Sequence, residues 1–238
     1  SLVLGCPTAT SVRINCRPSS DIVGEIEYKP AQSGSFKSGP IVTMQALTTA
    51  ELTLNGLKPD TEYSYHLRYK STSNSEFKNG PDYRFHTQRK PGSDFTFEII
   101  GDSHPERTPK QNEPALYEQT LVAAANDKPD FFMTIGDDFS VDTLNELNQK
   151  NVDGVYLKQL PYLGLVGSNS PLFLVNGNHE QASGANLDGT PDNVAVWAQN
   201  SKNKYFPLPK PDGFFTGDEE KIKHIGLLGD YYSWTWGD

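Results

Sequence analysis

Three short segments carry the residue types from which a site for hard metal ions is built: Gly101-Asp102-Ser103-His104, Gly136-Asp137-Asp138-Phe139 and Asn176-Gly177-Asn178-His179-Glu180. Carboxylate, imidazole and amide oxygen are donors that borderline-hard divalent ions accept, and one carboxylate can bridge two of them. Neither cysteine of the chain, Cys6 or Cys16, lies near these segments, which argues against a structural zinc knuckle. Each segment taken alone reads more simply as an ordinary turn. The signal lies in the combination, since three separate turns would otherwise have to present such donors by accident.

Donors of this kind need an element in front of each to aim them. Residues 95–100, 131–135 and 172–175 are short β-rich runs, and each is followed by glycine and the candidate ligands, as though glycine let the backbone turn sharply at the strand end. Residues 114–126, with Leu116, Leu121, Val122 and Ala125 near helical spacing, read as a helix, and residues 152–167 as a second with a bend at Pro161. Strand, helix, strand, helix, strand predicts a mostly parallel sheet, whose ligand site gathers beyond the carboxyl ends of its strands.

Residues 1–88 have a different pattern. Alternating runs at 11–17, 22–29, 41–46, 50–54, 62–71 and 83–87, separated by Gly, Pro, Ser and Asn, predict an all-β sandwich. Within it, residues 54–65 resemble the E–F corner of a fibronectin type III domain, in which the first tyrosine, here Tyr63, bonds back across the corner. Residues 89–94 are polar, contain Pro91 and Gly92, and read as a linker to a second domain over 95–238.

In the order Asp-x-His, Gly-Asp, Gly-Asn-His-[Asp/Glu], residues 95 to about 180 resemble the calcineurin-like metallophosphoesterase superfamily. With a fibronectin-like module in front, and residues 231–237 similar to the aromatic strand that follows in those enzymes, the resemblance is to the purple acid phosphatase-like branch. It implies a two-sheet α/β/β/α sandwich binding two metal ions (Fe, Mn or Zn): Asp102 and His104 on one, Asp137 bridging, Asn178 on the other. It also implies a metal-bridging hydroxide that attacks a phosphate monoester or diester. His179 would be the catalytic histidine, with Glu180 orienting its imidazole. Arg107, which with Lys110 follows His104, is a candidate for binding the substrate phosphate.

The sequence departs from that pattern in two ways. Purple enzymes carry a tyrosine three residues after the bridging aspartate, where this chain has Ser140, and they lack its His104, so a colourless site is expected. The superfamily also supplies ligands from a later histidine and a Gly-His-x-His segment, whereas after Glu180 this chain has only His224, which reads as a loop residue. The expectation is therefore an incomplete catalytic domain, inactive alone, with a further C-terminal segment of the same polypeptide supplying the remaining histidines.

Composition bounds the alternatives. The chain has 238 residues and a formal charge of −9; residues 1–90 hold 11 Lys/Arg against 8 Asp/Glu, and residues 91–238 hold 10 against 22. Such an acidic second part argues against nucleic-acid or anionic-membrane partners. No apolar stretch is long enough for a membrane span, and the reading is of an exported protein, extracellular or periplasmic, with its signal already removed. Cys6 and Cys16 could pair across two antiparallel strands or remain as two buried thiols. The polar stretches 184–193 and 207–220 are candidate cleft rims. A second reading is an inactive metallophosphoesterase-like scaffold, and a third is an adhesion module joined to a degraded domain.

Overall fold

Period-two alternation in the first 90 residues gives nine strands: β1 (Leu2–Gly5), β2 (Ser11–Cys16), β3 (Ile22–Pro30), β4 (Lys37–Ser38), β5 (Val42–Met44), β6 (Ala50–Asn55), β7 (Glu62–Ser71), β8 (Lys78–Asn79) and β9 (Tyr83–His86). They are seen in a computed structural model that describes residues 1–73, 76–217 and 219–237. β1, β2 and β6 pair antiparallel, and β3 with β7 forms the spine of a second sheet that β4, β5, β8 and β9 complete. The inward residues of the two sheets, among them Leu4, Val12, Ile14, Ile26, Tyr65 and Phe85, make one apolar core. At the predicted corner the Tyr63 hydroxyl accepts the Lys58 N–H at 2.8 Å.

After residue 95 the chain alternates strand and helix. β10 (Phe97–Ile100), β11 (Phe131–Thr134) and β12 (Leu172–Leu174) are parallel, in that order. Between them run α1 (Pro114–Asp127), with proline at its first turn, and α2 (Gln149–Gly167), whose N-cap Asn148 accepts the Asn151 N–H at 2.9 Å. α2 buries Val152, Val155, Tyr156, Leu160, Leu163 and Val166 along one face and continues through Pro161 as one helix.

A third helix, α3 (Val194–Tyr205), was not expected. Its inward face carries Gln199, Ser201 and Lys202, all fully buried, so the apolar period that announces a helix is interrupted.

Three further expectations are corrected or refined. The sheets of the two regions are not separate: β1 also pairs in parallel with β12 at Gly5↔Leu172, giving a continuous sheet of order β10-β11-β12-β1-β2-β6, while residues 89–94 form neither helix nor strand. Along β1, Val3 enters the helix-side core and Leu4 the sandwich core. Residues 231–237 form no strand; they lay Tyr232, Trp234 and Trp236 against the sheet face opposite the helices, with Trp234 stacked on Phe173 at 4.0 Å, while Tyr231 points outward. Cys6 and Cys16 are free and buried, since the β1–β2 register sets Cys16 opposite Leu2 at the far end from Cys6.

The sandwich meets the second region through Tyr65 Oη donating to Ser168 O at 2.6 Å, Arg84 N donating to Asn169 Oδ1 at 3.2 Å and Arg89 Nε donating to Asp130 Oδ1 at 2.7 Å. Ser168 and Asn169 precede β12, and Asp130 precedes β11, so these contacts lie at the amino-terminal ends of the parallel strands. Among the described residues no helix is long and apolar enough to cross a membrane.

Candidate metal centre

The loops leaving β10, β11 and β12 turn by different means. After β10, Asp102 (φ 57°) and His104 (φ 43°) are left-handed; after β11, Gly136 (φ 102°) and Asp137 (φ 60°) are; after β12 the left-handed residue is Gln181 (φ 56°). Glycine thus supplies the expected turn only at Gly136, and aspartate and histidine, which tolerate this region better than most residues, supply the others. Gly177 is needed for close approach instead: a Cβ there would lie 2.3 Å from Asp137 Oδ1, and one on Gly136 would lie 2.3 Å from Gly177 N. The second and third loops pass with no room for a side chain between them.

Glu180 holds those two loops together. Fully buried, its carboxylate accepts the N–H groups of Gly177 (2.7 Å), Asp138 (2.9 Å), Asp137 (3.0 Å) and Phe139 (3.2 Å). Backbone donors to a charged acceptor make strong hydrogen bonds, and four on one carboxylate meet the desolvation cost of burying it. The expectation that Glu180 orients the His179 imidazole is therefore corrected. Its oxygens are occupied by backbone, and Asp142 stands beside the ring instead.

Around this frame the donors converge. Side-chain donor atoms of His104, Asp137 and His179 all lie within 4.8 Å of one another, and the Asp102 carboxylate, largely exposed, approaches His104 Nε2 to 3.7 Å. His104 is buried, and its Nδ1 lies 2.6 Å from Ser140 Oγ. For Nε2 to hold a metal, the proton must sit on Nδ1, and Ser140 Oγ is placed to accept it; the other lone pair of that oxygen takes Arg107 Nε at 3.2 Å. Asn178 is exposed on the third loop, between Gly177 and His179. The His179 N–H next to it donates to Asp137 Oδ1 at 2.8 Å, which ties that loop to the candidate bridging carboxylate.

His179 Nδ1 has two neighbours at 2.7 Å, Asp142 Oδ2 and Arg107 Nη2. When protonated, Nδ1 donates to the carboxylate; when unprotonated, it accepts from the guanidinium, so the ring is held in one place in either state. Arg107 also donates to both Asp142 oxygens at 3.2 Å and to Gln111 at 2.8 Å. Bonded to Ser140, Asp142, His179 and Gln111, Arg107 ties the loops of the rim together and keeps one Nη1 N–H without a protein partner among these bonds. Asp142 escaped the sequence reading because a 3₁₀ turn over Val141–Thr143 brings it to His179, and nothing in the spacing of the segment announces that turn.

Beneath the rim lies a polar layer. Asp138, fully buried, accepts Ser103 Oγ at 2.6 Å, and Gln159 from α2 donates to Ser103 Oγ at 2.7 Å and to Asp138 O at 3.1 Å. Burial pushes the Asp138 carboxyl up to about 7, opposed by the Ser103 hydroxyl and reinforced by the charge of Glu180. On the other side Lys202 Nζ donates to Asn176 Oδ1 at 2.8 Å, and burial pushes its ammonium down to about 8 against the attraction of Glu180, Asp230 and Asp138. His224, predicted as a loop residue, sits exposed in the turn closed by the Ile222↔Gly226 bridge.

No family model matches the sequence, and no curated protein does. Solved structures do match. Purple acid phosphatase PPD1 from yellow lupin (Lupinus luteus) seeds superposes with a TM-score of 0.62 at 16% identity over 89% of this chain and 41% of its own. PhoD superposes with a TM-score of 0.59 at 14% identity, over 87% of this chain and 45% of its own. The chain shares their fold. It spans less than half the length of either, and the likeness joins the sandwich and the strand–helix region in one superposition, as the continuous sheet requires.

Proposed function

We propose that this chain carries part of the active site of a metal-dependent phosphoric ester hydrolase. The observation that supports it best is the convergence of His104, Asp137 and His179 at the carboxyl ends of three parallel strands, with Asp142 behind His179. The donor set suits two ions of the Fe, Mn or Zn kind: oxygen and nitrogen donors without sulfur, an imidazole whose outer nitrogen has an acceptor, and a carboxylate between the loops. In this reading Asp102 and His104 hold one ion, Asp137 is shared, and Asn178 contributes to the second. Ions bound there would supply Lewis acidity toward phosphoryl oxygens and lower the pKa of water.

The chain's own residues do the rest. Glu180 fixes the backbone of residues 137–139 against Gly177, so the donor loops need no rearrangement when they act. His179, held through Nδ1, presents Nε2 to the rim, where it can give a proton to a leaving alkoxide, and Asp142 stabilises the imidazolium that precedes that transfer.

We further propose that more polypeptide from the same protein completes the centre and adds histidine ligands. Phe97, Ile99 and Ile135, on and beside edge strand β10, are 45%, 52% and 56% exposed, an apolar surface that a finished domain would cover. The proposal includes export from the cytoplasm and a small phosphate ester as substrate.

The test uses the full-length protein with manganese, zinc or iron, assayed on a chromogenic phosphate monoester and on the corresponding diester. Turnover that falls at least about a thousandfold in Asp137→Asn, with folding retained, supports the hydrolase. Equal background from both proteins would support the inactive scaffold instead.

A further inference from the structure

At the amino-terminal ends of the parallel strands, remote from the rim, a half-open pocket of about 610 Å³ is lined by the sandwich, by Arg89 just after it and by Lys128 at the end of α1. Lys58, Arg84, Arg89 and Lys128 line it with the buried His86, against only two carboxylates, Asp60 and Glu62. Those carboxylates are already engaged: Asp60 with Lys90 at 3.3 Å and Glu62 with Arg84 Nη1 at 3.3 Å. Asp130, behind the cavity, takes Arg89 at 2.7 Å.

Among the described residues no carboxylate pairs with the ammonium of Lys58 or Lys128, and Arg84 Nη2 is buried without an acceptor. Unpaired like charges around one cavity repel each other, and a buried guanidinium N–H without an acceptor costs about 1–3 kcal/mol. In a chain of net charge −9, the four cations lining this pocket outnumber its two carboxylates, and both lysines keep their charge unpaired. The elements fix the geometry: Lys58 sits on the corner closed by Tyr63, Arg84 and His86 are on β9, and Lys128 is the left-handed C-cap of α1.

We propose that this seam is a binding site for a small molecule bearing phosphate or sulfate oxyanions and at least two negative charges. The guanidinium groups offer planar donors to tetrahedral oxyanions, and the two free ammoniums supply the remaining charge. The space exceeds a single oxyanion and falls within the range of small-ligand pockets. Because Lys128 caps α1 while the other cations belong to the sandwich and the segment after it, an occupant that engages both stabilises the folded state by binding it alone.

The proposal is independent of the hydrolase reading and is tested on metal-free protein. Inorganic pyrophosphate and sulfate are titrated separately by calorimetry and in thermal melts, with ionic strength held constant by sodium chloride. Wild type and Asp137→Asn should bind pyrophosphate equally, with a raised Tm, and the double variant Lys58→Gln/Lys128→Gln should bind at least tenfold more weakly. Both lysines are exposed, so that variant keeps its core, which circular dichroism checks. Sulfate that matches pyrophosphate points to sulfate esters as ligands, and preference for pyrophosphate points to phosphate esters. Undiminished binding in the double variant, loss of binding in Asp137→Asn, or a Tm shift reproduced by sodium chloride would each overturn the site.

Discussion

At the carboxyl ends of β10, β11 and β12 the chain gathers carboxylates, imidazoles and a buried glutamate that binds backbone N–H groups. At the amino ends of the same strands it gathers lysines, arginines and the Tyr65 hydroxyl. Both ends are polar, yet they are built differently. The rim is a network in which Glu180, Ser140 and Arg107 each serve two or more loops, so removing one member should be felt by all. The seam is a set of separate bonds, such as Tyr65 to Ser168 and Arg84 to Asn169, whose losses should add independently.

The strongest challenge to this contrast is Glu180→Gln. An amide presents an N–H₂ to part of a nest of four backbone donors, and we expect a loss of about 2–4 kcal/mol in urea unfolding together with weakened metal binding. A loss under about 1 kcal/mol would mean that the loops hold without it.

Asp138→Asn sharpens the comparison through pH. The folded carboxyl titrates near 7 and the unfolded one near 3.8, so between those values the folded state holds the extra proton. Wild-type stability should therefore fall as pH rises from about 4 to 7, by on the order of a few kcal/mol, relative to a variant without this slope. Urea titrations in chelator at the two ends of that window check it.

A smaller effect is expected at Ser140. Ser140→Ala removes the acceptor for His104 Nδ1 and should weaken manganese or cobalt binding about 10- to 100-fold, while Ser140→Thr restores much of it. Unchanged affinity in calorimetry would show that His104 does not bind through Nε2. At the other end, Tyr65→Phe should cost only about 1 kcal/mol in urea unfolding and leave metal affinity as it was. A change at the rim would couple the two ends.

Elements that local pattern and spacing decide were legible in the sequence. The turns after residues 100, 135 and 175 stand out because each follows an apolar run that forms a strand, and the Tyr63 corner because its turn is local. What a long-range contact decides was not legible. Asp142 reaches His179 across two loops, Glu180 turns from the imidazole to four backbone amides, and α3 hides because its inward face is polar.

The sequence by itself determined the donor types, their order, and the two styles of secondary structure before and after residue 90. Both are written in neighbouring residues: period-two alternation for the sandwich, and alternating apolar runs and helical faces for the rest. Only the tertiary structure decided that β1 joins both regions in one sheet, that Arg107 bridges the rim loops to His179, and that four cations line one pocket beside the end of α1. Each of these depends on which backbone and side-chain groups remain unpaired once distant segments meet, and the spacing of residues along a chain does not encode that.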